Sequence, residues 1–101
     1  MKKINIDLTQ KRLDESWYSN FAGDVASLLK AIGQGSSLPA TVKGSTADIK
    51  AFARLMGAEK KHMDYFEKYG LDNPASFKTK SELDRAVRDF ERTTGIKYPF
   101  R

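Results

Sequence analysis

GSTADIKAFARLMGAEKKHMDYFEKYGLDNP, Gly44 to Pro74, is the stretch whose reading decides the fold. Ser45 is placed to cap a helix, with Asp48 three residues on as an acidic capping-box partner. Ile49, Phe52, Met56, Met63 and Phe66 then recur at helical spacing. Gly70 suits a left-handed residue after the last turn. Leu71 is expected to fold back onto Phe66, and Pro74 bars continuation. One residue disturbs this pattern. On an unbroken helix Glu59 falls near the middle of the apolar arc, where an unpaired carboxylate is costly. Either Gly57 breaks the helix and turns Glu59 outward, or Glu59 has a buried partner. A new helix starting near Ala58 would also place Glu59 where the helix dipole favours an acid, and we favour the break on that ground.

Outward from this stretch, Ile4, Ile6 and Leu8 alternate with polar residues as in a half-buried strand, with Lys11-Arg12 in the turn that follows. From about Asp14 the period becomes helical. Trp17, Phe21, Val25, Leu28, Leu29 and Ile32 share a face that stops at Gly33, and Gly23 inside it invites close packing of a neighbour. Gly33 to Pro39 is a connector. Its Gly-Gln-Gly-Ser-Ser run is not a phosphate loop, because Leu38-Pro39 follows where a helix would have to begin. Leu38, Ala40 and Val42 alternate as a second short strand, which makes a right-handed crossover if the strands are parallel. Thr79 and Glu82 read as a capping box for a last helix carrying Leu83, Ala86, Val87 and Phe90. Asp84 and Arg88 are spaced to pair, and Gly95 ends the helix with Ile96 against Phe90. The fold class is therefore α+β and mainly helical, one domain over 1–101. Trp17, Phe21, Leu28, Phe52, Phe66, Val87 and Phe90 are expected in one core.

A chain of 101 residues supports one modest core. It has no cysteine, so disulfides, thiolate metal sites and a cysteine nucleophile are excluded. After Met1-Lys2-Lys3, Asn5 and Asp7 interrupt the apolar run that a signal peptide needs. No apolar run approaches the ~20 residues of a membrane span, so the expected location is the cytoplasm or a particle. With 18 basic and 13 acidic residues the net charge is +5, which suits nucleic acid or an acidic protein surface as a partner.

Catalytic chemistry finds little support. His62 is the only histidine, and with Glu59 it makes at most half of a metal site. No serine lies in a nucleophile elbow, and Asp14-Glu15 point to different faces. No enzymatic activity, metal, cofactor or small-molecule substrate is expected. On an unbroken central helix Lys50, Arg54, Lys61 and Lys68 would line one face, and Arg85, Arg88 and Arg92 form a ridge on the last. These stripes carry the alternative of non-specific nucleic-acid binding. About four neutralised phosphates would give a slope of about −3.6 in log affinity against log salt.

Gly44-Ser45, Glu59-Lys60 and Tyr69-Gly70-Leu71-Asp72-Asn73-Pro74, followed by Leu83-Asp84, Phe90-Glu91, Thr94-Gly95-Ile96 and Pro99-Phe100, together resemble a family of small, mostly uncharacterised proteins of tailed bacteriophages. The resemblance runs roughly from Leu38 to Arg101 and rests on caps, stops and core positions. It implies a shared fold and a phage setting, as a virion or accessory protein in the host cytoplasm or the particle, and it brings no catalytic residues. The leading expectation is a non-enzymatic protein-interaction module that binds a protein partner or assembles with itself. Tyr98, Pro99 and Phe100 are its candidate docking residues. The competing expectation for this tail is that its rings complete the protein's own core beside Trp17.

Overall fold

In the computed structural model, which describes residues 4–9, 15–35, 40–70 and 73–100, each apolar period becomes an element. The order is β1 (Ile4–Asp7), α1 (Glu15–Gly33), β2 (Ala40–Lys43), α2 (Thr46–Tyr69) and α3 (Pro74–Thr94). The α+β, mainly helical class is as the periodicities predict. The two strands are parallel, with Ile4 opposite Ala40 and Ile6 opposite Val42. Leu8 N–H donates to Lys43 O at 2.7 Å and extends the ladder by one bond. Ile4, Ile6 and Leu8 are all buried, so the alternating side of β1 is the sheet's contribution to the core. The Lys11-Arg12 turn, Leu38, Pro39 and Leu71 lie outside the described residues.

Phe90 of α3 is the hub of that core. Its ring lies parallel to Phe21 of α1 at 6.3 Å, tilted to Phe52 of α2 at 6.0 Å, and edge-on to Tyr98 at 6.2 Å. Trp17 and Leu28 are partly buried around it, while Val87 is buried. Phe66 is the exception. It is 45 % exposed, because the buried apolar residues of α2 end before Glu59 and, among the described residues, no core residue covers its last turns. Ile49 is also exposed, and Leu55 is fully buried in its place. The buried arc of α2 is therefore Ala51, Phe52, Leu55 and Glu59, rotated from the stripe that the sequence suggests.

Helix α2 is unbroken through Gly57, so the expected break does not occur. Ser45 caps it as expected, its hydroxyl accepting from Asp48 N–H at 3.2 Å. Its end differs in detail. Gly70 has positive φ, 78°, but ψ is 175°, extended instead of left-handed helical; its N–H still donates to Phe66 O at 2.9 Å. At the head of α2, a Cβ on Gly44 would sit 3.1 Å from Leu8 Cβ, so this glycine lets β1 and the β2–α2 junction approach closely. Gly23 has no such reason: a Cβ there meets nothing within 4 Å.

The last helix starts earlier than the Thr79–Glu82 capping box implies. Asn73 is the cap, its side chain accepting from Ala75 N–H at 2.9 Å, and Pro74 occupies the first turn, where its missing N–H costs nothing. Pro74 thus opens α3 while closing off α2. Thr79 is buried inside the helix and donates to Ser76 O at 2.9 Å. Asp84 pairs with Lys80 at 3.0 Å and not with Arg88. Gly95 closes α3 in the left-handed region as expected (φ 75°, ψ 7°), and Ile96 is buried in the same core as Phe90.

Candidate functional site: a basic groove between α2 and α3

Three cross-helix contacts establish how α2 and α3 dock. Ser76 Oγ reaches Tyr65 O, His62 Nδ1 lies 3.0 Å from Thr79 Oγ1, and Lys61 Nζ lies 3.0 Å from Glu82 Oε2. As the number rises on α3 it falls on α2, so the helices are antiparallel. The Thr79 hydroxyl lies within hydrogen-bond distance of both Ser76 O and His62 Nδ1, tying the ring to α3. His62 is therefore a half-buried structural residue. Among the described residues no group of three metal-ligating side chains exists.

Phe52 and Met56 turn one flank of α2 into the core. Lys50, Arg54 and Ala58 occupy the opposite flank by the helical period. There, α2 and α3 enclose a groove of about 500 Å³. Its floor is made of small side chains, Ala47, Ala51 and Ala58 from α2 and Ala86 from α3. Lys50 and Arg54 stand on one wall, Arg85 and Arg92 on the other, with Asp89 between the two arginines. Glu82, which also lines the groove, is bridged to Lys61 at 3.0 Å.

The charges are not equally committed. Arg92 is paired with Asp89, and Lys61 with Glu82. The Lys61–Glu82 hydrogen bond is the main reason that the Glu82 carboxyl is held below, and the Lys61 ammonium above, its usual range. Lys50, Arg54 and Arg85 make no ion pair with a described residue. Three cations around an apolar floor are thus available to an anion.

The two basic stripes read from the sequence are therefore brought together in part. Lys50 and Arg54 meet Arg85 and Arg92 across the groove. Lys61 is spent on the bridge, and Lys68 lies 5.3 Å from the Tyr69 ring centroid near the end of α2. Arg88 is exposed and does not line the groove. Sequence reasoning missed the floor. Ala47, Ala51 and Ala58, at spacings of four and seven, were its one visible signal.

Of the three tail residues, Tyr98 is a correction. Tyr98 is 1 % exposed and belongs to the core, so its ring cannot dock elsewhere. Its hydroxyl donates to Glu59 Oε2 at 2.7 Å, which supplies the buried partner that an unbroken α2 requires. Burial, and then the Glu59 carboxylate, push the Tyr98 phenol far above its ordinary range, so it remains a donor. Tyr98 N–H donates to Glu91 Oε2 at 2.9 Å. Tyr18 of α1 also holds the tail, its hydroxyl donating to Lys97 O at 2.6 Å. Pro99 is half-buried, and Phe100 is exposed with its ring edge-on to Tyr98.

A smaller crevice of about 130 Å³ lies between β1 and α1, with Asp7 and Asp24 at its rim. Asp7 is engaged by Thr9, whose hydroxyl and N–H lower its pKa. No helix is long and apolar enough to cross a membrane among the described residues. No protein-family model, curated protein or solved structure matches the chain.

Proposed function

We propose that this protein is a non-enzymatic binding module whose α2–α3 groove receives a protein partner. One observation carries the reading: Lys50, Arg54 and Arg85 surround an alanine floor without an ion pair to any described residue. Cations left open beside small apolar side chains suit an acidic, partly apolar protein surface. The setting we propose, a bacteriophage particle or an accessory protein of infection, rests on the resemblance of the caps and stops between Leu38 and Arg101.

The test is affinity purification from infected cells with wild type and the Arg54→Glu/Arg85→Glu variant as parallel baits. A partner held by the wild type and lost from the folded variant supports the groove. Equal capture by both baits overturns it. For the setting, the protein should occur in purified particles or among infection-stage proteins, and its absence from both ends that part of the proposal.

Non-specific nucleic-acid binding is the second reading, carried by the same three cations. The alanine floor works against it, since it offers a phosphate no polar partner.

A further inference from the structure

We infer that the groove's occupant is an amphipathic α-helix of about three turns, with a small apolar stripe and acidic residues on both flanks. This rests on the reading of the groove as a protein-binding site and specifies what the site takes.

Length comes first. The floor runs from Ala47 to Ala58 along α2, about 16 Å at the ~1.5 Å rise per residue of a helix. Ala58 is the last residue of α2 in the lining, which sets the occupant at about three turns. Depth comes second. Alanine side chains allow a third helix to approach α2 and α3 at the short end of the usual ~8–10 Å interaxial range. A long side chain on the floor would hold it off.

Backbone chemistry selects the helix. The groove is built from two helices, whose interior N–H and C=O groups are already paired, and neither strand borders it. An extended peptide laid on alanine methyls would find no free backbone groups to pair with its own. A helix brings its backbone bonds with it, which is the helix-in-groove mode of recognition. Charge selects the flanks. Lys50 and Arg54, one turn apart, present one row of cations, and Arg85 stands on the facing wall.

A nucleic acid fits less well. No aromatic side chain lines the groove for base stacking, and the alanine floor offers a phosphate nothing.

The experiment uses the full chain and three labelled probes. The first is a peptide of about 15 residues with alanine and leucine at i, i+3, i+4 and i+7 and glutamate on both flanks. Its glutamine counterpart and a duplex DNA of about 20 base pairs are the others. Binding is read by fluorescence anisotropy at low salt, and peptide helicity by circular dichroism. The acidic peptide should gain helicity on binding and bind about tenfold or more tightly than the glutamine peptide. Arg54→Glu and Arg85→Glu should each weaken it about tenfold, and Ala86→Leu should block it by filling the floor. Arg88→Glu, outside the groove, should leave it unchanged, and thermal melts confirm that each variant folds.

Binding sensitive to Arg85→Glu but without gained helicity overturns the helical occupant and leaves the groove as a protein site. Duplex binding lost in Arg85→Glu, with no peptide bound, overturns both in favour of nucleic acid. Absence of peptide binding, with or without duplex binding, overturns the helical occupant.

Discussion

The Tyr98 hydroxyl and the Glu59 carboxylate meet at 2.7 Å inside the core, joining the middle of α2 to the tail beyond α3. Each satisfies a polar group that the other's element has buried. Removing either partner alone leaves the other unpaired, which typically costs about 1–3 kcal/mol. Tyr98→Phe and Glu59→Leu should each destabilise by that order in urea melts. The double variant should cost less than the sum, because the two apolar groups then leave nothing unsatisfied. Strict additivity would show that the pair is not coupled.

Alkaline titration reads the same contact. The folded Tyr98 pKa is raised above the ordinary phenol value of about 10 by burial first and Glu59 second. Its contribution is therefore fully present below the unfolded pKa and is lost as pH rises through the folded one. Stability should begin to fall near pH 10, where the unfolded phenol starts to release its proton and the folded one does not. Tyr98→Phe should flatten that decline. Tyr18, raised by burial and by Glu91, contributes in the same direction and should leave a residual slope.

Gly57 lies within an uninterrupted α2, and a Cβ there meets nothing within 4 Å. Gly57→Ala should therefore stabilise the protein by ~1 kcal/mol, the propensity difference in a helix interior. For a domain of this size that is roughly a 4–8 °C rise in melting temperature. Gly23→Ala on α1 should do the same, since its surroundings are equally open. A fall in melting temperature for Gly57→Ala would mean that α2 breaks there after all.

Truncation after Lys97 removes Tyr98 from the core together with its bonds to Glu59 and Glu91. Burial of one such ring contributes about 2 kcal/mol, so a loss of several degrees in melting temperature is expected. Phe100→Ala should cost far less, as its ring is exposed. An unchanged melting temperature on truncation would place the tail outside the core.

Local signals were the legible part of this fold. Ser45 as a cap, Gly95 as a left-handed stop and the alternation of Ile4, Ile6 and Leu8 all act within a few residues, and all appear in place. What failed was a competition between local signals. Thr79-to-Glu82 has capping-box spacing, but Asn73-Pro74 supplies a cap and a pre-set first turn earlier, and the helix nucleates there. Glu59 was identified as anomalous, yet its partner is 39 residues away, and no periodicity reports on so distant a residue. The groove was half legible for the same reason. Each helix shows its own cations, but which ones face each other depends on the antiparallel docking of α2 and α3. That docking assembles Lys50, Arg54, Arg85 and Arg92 and leaves Arg88 aside.

The location of the binding site is tested most directly by amide hydrogen exchange of the intact protein, free and bound to its captured partner. Protection should rise along residues 47–58 of α2 and 82–93 of α3, the two walls of the groove, and remain unchanged at residues 96–100. Protection centred on the tail, or at the exposed rings of Phe66 and Phe77 with the groove unchanged, would contradict this account.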